Sequence, residues 1–528
     1  MKNIYKYYSL MILMVFLSVS CHDELEKLPI SNDSQDNFYT NLKELNIGLV
    51  GAYSTFRNTK DGYGEAFIKI STHGSHAVTS LHTNLKQNTY ARYTFDNTEE
   101  SLERVWRSSY KLIYRTNQVI DRSESIPVLE VEERLKTRYI AEAKFLRALC
   151  YFNLVRFWGD IPLVTKELTN LSDTSKPRTS ADLIYDQIIE DLKFAEENLY
   201  NAHWVSADTP SYSEADLGRA TIGAAKGLLS KVYLTRATLN IDTTGIDDEF
   251  YTLAYDKAKE VMLSGHYELD PNYGGLFKIS GESSHEWMFQ VQFDDALLAP
   301  GVWGGVNNPG GQNGAIDKGF GRTNATYDLI NSYEADDPRL THNVSLGRLD
   351  SDNSIIPSAE QRYAYCYKYR FDIAPISQFK TSINAPVLRY ADIVLVFAEA
   401  CARIGGLDTE MFDALDLIRS RARGTGTAPI AVDRTLTGEA LYEEIFWERA
   451  RELCFEGKTK FDVMRFGVDK FMEEVSDELV YKDVFTGELE DPSKKWSTWA
   501  NKVETKHILY PIPESEMRGN SLITDTNW

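Results

Sequence analysis

Between Thr137 and Lys166 the chain reads TRYIAEAKFLRALCYFNLVRFWGDIPLVTK, and this run leaves few folds open. Leu146, Cys150, Leu154 and Phe157 recur at helical spacing, and Phe145, Leu149, Phe152 and Val155 form a second stripe beside them. Two adjoining apolar stripes need cover on more than one side, so the spacing predicts a helix at the centre of a helical body. Gly159 stands where a left-handed cap residue ends a helix, and Pro162 follows shortly after it. On the residues alone this is a core helix and a turn, with no catalytic group.

Helical periodicity continues on both sides. Leu42 to Arg57 and Leu102 to Arg122 read as a first helix pair, separated by a polar segment that holds His73, His76 and His82. Ser180 to Leu199 is expected to be a helix with Ser180 as N-cap and Leu183, Ile184, Ile188, Leu192 and Ala195 on its buried face. Asp216 to Leu239 follows, with Ala220, Gly223, Ala224, Ala225 and Gly227 allowing close helix approach, and then Tyr251 to Leu263. From Ser264 to Asn384 the composition changes to glycines, asparagines and aromatic residues. Short alternating runs such as EWMFQVQF indicate strand there. Long loops on a rigid frame are where binding usually resides.

The start of the chain reads as an export signal. Lys2 and Lys6 precede the apolar run Leu10 to Val19, which is too short to span a bilayer, and Ser20 precedes Cys21. Residues 1–20 are therefore expected to be a lipoprotein signal peptide, with Cys21 lipidated and residues 21–38 a tether. Ser18 stands where a lipobox usually has Leu, and ordinary signal-peptidase cleavage is the alternative. The net charge of −21 becomes −23 once Lys2 and Lys6 are removed, which argues against nucleic acid or an anionic membrane surface as partner. Cys150, Cys366, Cys401 and Cys454 are far apart in sequence and form no C-x-x-C pair, so buried free thiols are expected, although a disulfide stays open as an alternative.

Catalytic signatures are missing from the sequence: no G-x-S-x-G elbow, H-E-x-x-H, dinucleotide fingerprint or Walker loop occurs. The chain is read as a non-enzyme without cofactor. Asn240, Asp242, Thr244, Gly245 and Asp248 echo a calcium loop, but Tyr251 occupies the position that needs a bidentate Glu. A capped turn between helices is the reading there, no metal ligand is assigned, and a structural calcium stays open. ERAREL from Glu448 reads as ion pairing within a helix.

AEAKFLRALCYFNLVRFWGDIPLV resembles the signature helix of the SusD/RagB family, nutrient-binding outer-membrane lipoproteins of Bacteroidetes. GRATIGAAKGLLSKVYLTRA from Gly218, LRYADIVLVFAEA from Leu388, ERARELCFEGKTKFDVMRFG from Glu448 and YPIPESEM from Tyr510 resemble further family stretches in the expected order. The resemblance implies a mostly α, SusD-like fold in which tetratricopeptide-like helix pairs form the scaffold and loop-rich, short-strand insertions form the ligand side. It implies one domain over 39–528, made of an N-terminal helical part (39–263), a loop-rich insertion (264–387) and a C-terminal part (388–528). Helices near Leu388 to Ile404 and Met411 to Arg423 would complete the scaffold. It also implies surface-exposed, lipid-anchored placement in the outer membrane, capture of a glycan, and delivery to a SusC-like TonB-dependent transporter. A peptide-capturing relative and a scaffold without a ligand of its own are the alternatives.

A sugar ring shows an apolar C–H face and a rim of hydroxyls, so a capture site needs a flat aromatic face beside amides or carboxylates. Trp303 with Asn307, Asn308 and Gln312 has that make-up, in a region that contributes ligand contacts in family members. Tyr273 and His82 are secondary candidates. Trp303 has two readings, a solvent-facing platform or a loop anchor folded into the core. Trp287, in an alternating strand, is assigned to core, and Trp496 and Trp499 to helix packing.

Overall fold

The fold was analysed in a computed structural model of the chain. The structure describes residues 38–80, 88–170, 173–206, 210–294, 301–309, 319–349, 355–356, 364–371, 381–424, 431–475, 503–524 and 528. Cys21, His82, Gln312, Trp496 and Trp499 lie outside the described residues.

The N-terminal helices are α1 (Leu42–Ser54), α2 (Glu65–Thr72), α3 (Glu100–Ser123), α4 (Glu130–Trp158), α5 (Ala181–Asn198), α6 (Ile222–Arg236) and α7 (Asp248–Leu263). Four short helices follow: α8 (Tyr273–Leu276), α9 (Trp303–Asn307), α10 (Tyr327–Ser332) and α11 (Arg339–Asn343). The C-terminal set is α12 (Tyr390–Ile404), α13 (Asp408–Arg423), α14 (Gly438–Leu453), α15 (Thr459–Arg465), α16 (Val468–Glu474) and α17 (Glu514–Gly519).

The signature helix is α4, and it begins at Glu130, earlier than its apolar stripes, because Glu132 caps the backbone N–H of Leu129 (3.1 Å) and acidic residues fill the first turn. It packs between α3 and α5 and against α1, and from Phe145 to Val155 all its side chains are buried. Its polar groups are paired to make that burial tolerable. Arg147 binds Asp191 on α5 (2.8 Å) and Asn117 on α3 (2.7 Å), and Glu142 binds Arg219 (3.0 Å). Gly159 ends the helix at φ 67°, and its N–H donates to Val155 O (2.9 Å).

Three expectations about boundaries and faces are corrected. Leu183 is 55% exposed, so the buried face of α5 is Ala181, Ile184, Tyr185, Ile188, Leu192 and Ala195. The side chain of Ser180 makes no cap; the Asp160 carboxylate accepts the Ala181 N–H instead (2.8 Å). Leu388 and Arg389 belong to a strand, because the backbone of this segment is pinned in a ladder, and the helix starts at Tyr390.

The glycines of α6 allow close approach, chiefly of strand and loop side chains rather than of another helix. A Cβ on Gly227 would stand 2.8 Å from Met288 Cε, and one on Gly223 would run into the Tyr267 ring. The turn after α6 is a capped connection in which Thr243, Thr244 and Gly245 donate to Asn240 O, and Asp247 caps α7. Helices α12 and α13 pack together, and α12 lies on α6, α7 and α14. Cys150, Cys366, Cys401 and Cys454 are free and buried.

Two small sheets join the insertion to this body. β2 (Trp287–Val291) pairs antiparallel with β8 (Ala385–Arg389), and Trp287 is buried. β1 (Val78–Thr79), β3 (Asn324–Ala325), β7 (Tyr365–Cys366) and β4 (Val344–Ser345) form a four-stranded sheet in the order β1-β3-β7-β4. β5 (Arg348–Leu349) and β6 (Ile355–Ile356) form a hairpin. Beneath them a buried ion-pair network crosses between the parts: Arg389 reaches Glu286 and Glu452 (both 2.7 Å) and Glu456 (2.8 Å), and Arg339 reaches Glu448 (2.7 Å) and Asp337 (2.6 Å). Lys368 and Arg421 join it through Glu456 and Glu286 (both 2.7 Å). Glu448 and Glu452, the carboxylates of the ERAREL motif, are its hubs.

Candidate functional site

The four-stranded sheet brings together three stretches that are remote in sequence: the segment after α2, the loop around α9, and the segment near residue 365. Val78 faces Ala325 and Asn324 faces Tyr365 in the ladder. This register sets α9 beside α2.

Trp303 is fully buried, a correction to its reading as a solvent-facing platform. Its Nε1 donates to Tyr63 O (2.9 Å), and its ring meets Tyr369 edge-on at 5.6 Å. The physical cause is the close packing of α9, whose Gly304 leaves no room for a side chain against Phe371 (2.4 Å from a Cβ). Asn307 and Asn308 are buried as well, also against expectation. Thr323 Oγ1 donates to Asn307 Oδ1 (2.7 Å), and Asn308 Nδ2 donates to Tyr369 O. Among the described residues Asn307 Nδ2 and Asn308 Oδ1 have no hydrogen-bond partner, a buried donor and a buried acceptor. Nearby His73 Nε2 lies 3.3 Å from Thr323 Oγ1, and burial lowers the His73 imidazole to about 3, so the ring is neutral.

Tyr273 is placed elsewhere. It too is buried rather than exposed, and its hydroxyl donates to Asn343 Oδ1 (3.0 Å) and Glu452 O (3.2 Å) above the ion-pair network. The ring series Tyr273, Phe277, Tyr369, Trp303 connects it to α9. The structure thus brings Trp303, Asn307 and Asn308 together as a floor and leaves Tyr273 apart.

The rim of this floor comes from residues 319–322, which run back along α9. Phe320 N–H donates to Gly305 O and Gly321 N–H to Asn308 O (both 2.8 Å). The turn needs Gly321 at φ 62°, and Gly319 passes so close that a Cβ would stand 2.5 Å from Asn308 O. The half-buried Phe320 and Arg322 result, with the guanidinium 4.0 Å over the Phe320 ring and bound to Glu65 of α2 (2.5 Å). Lys69, one turn on, binds the same carboxylate (3.0 Å). Burial works to raise the Glu65 carboxyl, but Lys69 and Arg322 outweigh it and hold it below the usual range, so it is ionised. A flat ring, a planar guanidinium and a carboxylate offer stacking and paired hydrogen bonds together.

Sequence reasoning passed over Arg322, Glu65 and Lys69. The available signals were the i, i+4 spacing of Glu65 and Lys69 and the i, i+2 spacing of Phe320 and Arg322, which puts both on one face of extended chain.

A family model described as "SusD family" matches residues 311–527, and one described as "Starch-binding associating with outer membrane" matches residues 25–234. A "SusD-like protein" of Bacteroides ovatus is 25% identical, over 96% of this chain and 95% of that protein. The "Starch-binding protein SusD" of Bacteroides thetaiotaomicron is 25% identical over 67% of this chain and 68% of its own length. The fold is similar to a solved SusD homologue from Bacteroides thetaiotaomicron (TM-score 0.78, 22% identity, 94% of this chain and 99% of that one). It is also similar to a "Laminarin binding SusD-like protein" (TM-score 0.69, 22% identity, 93% and 100%) and to a structure with a xylogluco-oligosaccharide (TM-score 0.71, 21% identity, 91% and 97%).

Proposed function

The chain belongs to the SusD/RagB family, and from that premise we propose that it captures a glycan at the outer membrane, without covalent chemistry, on the face formed by Phe320, Arg322 and Glu65 over the Asn307–Asn308 floor. The observation that carries this reading is the half-buried aromatic–guanidinium stack of Phe320 and Arg322, tied to the Glu65 carboxylate. Support comes from the relative named for starch binding and from fold neighbours named for laminarin and xylogluco-oligosaccharide. Residues 39–528 would act as one unit on a tether anchored through Cys21, with a SusC-like TonB-dependent transporter receiving the glycan.

The test is titration of the soluble chain, without residues 1–21, against a panel of neutral oligosaccharides, with peptides as the competing class. Phe320→Ala and Arg322→Ala should each weaken glycan binding at least tenfold, because aromatic contact and a charge-assisted bond are each worth about 1.5 kcal/mol or more. Binding of peptides alone, or glycan binding indifferent to both substitutions, would overturn the assignment. Cys21→Ser in the full-length protein should move it from the membrane to the soluble fraction on cell fractionation; membrane retention would refute the lipid anchor.

A further inference from the structure

A cavity of about 230 Å³ lies among α4, α5, α6, α15 and the turn after α6, and it shares no residue with the loop face. Val155, Leu239, Ile241, Met464 and Leu509 give it apolar walls. It shares Arg156, Thr235, Phe461 and Arg465 with a polar recess of about 20 Å³, which Lys231, Arg449, Lys458 and Asp462 also line.

The charges around that recess do not balance. Five basic side chains, Arg156, Lys231, Arg449, Lys458 and Arg465, of which Lys458 is only partly protonated near neutral pH, meet three carboxylates, because Lys231 and Arg449 both bind Asp392, Arg465 binds Glu399, and Arg449 also binds Asp462 (2.9 Å). Donors are left over. Among the described residues Arg449 Nη1 is buried without a hydrogen-bond partner, and Nε has only the Glu399 carboxylate, 4.0 Å away. Arg156 is held between the Phe152 and Phe461 rings at 3.8 and 3.7 Å and gives Nε to Phe152 O and one Nη to Asn153, which leaves its other Nη unbonded among the described residues. Uncompensated burial, with the neighbouring Lys231 charge, lowers the Lys458 ammonium to about 7, and burial lowers Arg156 to about 10. Asp462 Oδ2 also lacks a hydrogen-bond partner among the described residues, and its negative charge disfavours a polyanion in the recess. The outer cavity is smaller than the usual range for drug-sized ligands, so its occupant is short.

We propose that this compound cavity is a second binding site, for a small organic monocarboxylate whose carboxylate enters the recess on Arg449 and Arg156 while its apolar body lies against Val155, Ile241, Met464 and Leu509. The site stands independently of the glycan reading. Neither ligand class competes with the other.

Calorimetric titration of the soluble chain with acetate, butyrate, hexanoate and benzoate in chloride-free buffer tests it, with sodium chloride as a separate arm. Affinity should rise about fourfold per methylene from acetate to hexanoate, the gain expected for burying a CH₂ group. Ile241→Trp, at a half-buried wall residue that does not line the charged recess, should fill the cavity and weaken hexanoate at least tenfold while circular dichroism and melting stay those of the parent. Arg449→Gln should remove binding, and if that variant does not fold, Ile241→Trp decides. No binding of any carboxylate at millimolar concentration, chloride binding as tightly as hexanoate, or unchanged hexanoate affinity in Ile241→Trp would overturn the proposal.

Discussion

Trp303 shows how a residue type can be right for two jobs and the environment choose one. An indole beside amides suits a sugar ring, but here its N–H is spent on Tyr63 O and its faces are covered. Trp303→Ala is therefore expected to act on stability, at a cost of about 3–5 kcal/mol for emptying so large a buried volume. Urea denaturation would measure it, and an unchanged midpoint would show that the indole is not packed as described. Any loss of glycan affinity in that variant would be secondary to the lost floor. Phe320 and Arg322 are the reverse case, two ordinary residues whose value comes from stacking over a floor that other segments supply.

Among the helices, α15 and the turn before it carry the least comfortable charges. Lys460 is buried beneath Tyr93 and Tyr510, and among the described residues its ammonium approaches only His73 O (3.4 Å) as a hydrogen-bond acceptor. Burial lowers it to about 7, whereas the unfolded chain holds its proton to about 10.4. Between those values the unfolded state binds more protons, so this group makes folding more favourable as pH rises from about 7 towards 10.4. Lys460→Met should remove that slope, and denaturation midpoints between pH 7 and 9 would reveal whether it does; an identical slope in the variant would refute the assignment. The helices around it were expected from the family resemblance and not from periodicity. Helix ends were not legible, because capping at α4 and α5 uses Glu132 and Asp160, and the ladder at Leu388 overrides helical spacing.

Across the whole molecule, the ERAREL carboxylates hold the insertion to the helical body. Burial works to raise Glu448 and Glu452, but the guanidinium groups of Arg339, Arg451 and Arg419 around the first, and of Arg421, Arg389 and Arg339 around the second, outweigh it and hold both far below the usual carboxylate range. Their contribution to stability is complete above the unfolded value of about 4.3 and is lost as pH falls from there towards the folded values. Glu452→Gln should cost about 3–5 kcal/mol near neutral pH, since it strands buried arginines, and should flatten the acid limb of the stability curve. Calorimetric melting across pH 3–7 would test this; an acid limb as steep as the parent's would locate the acid sensitivity elsewhere.

Helix content, the central place of the Thr137–Lys166 stretch, the free buried thiols and the family itself could be read from residues, because periodicity and motif order are local properties. The aromatic and amide composition of the loop around Trp303 marked the right region for the same reason. Which of those side chains meet solvent was decided by tertiary packing alone. The sheet joining residues 78, 325, 344 and 365 sets α9 against α2, and that contact buries Trp303, Asn307 and Asn308 while turning Phe320 and Arg322 outward. The same holds for the charge network: ERAREL announced ion pairs, but their partners at Arg339, Arg389 and Asp392 lie many tens of residues away, where spacing carries no information.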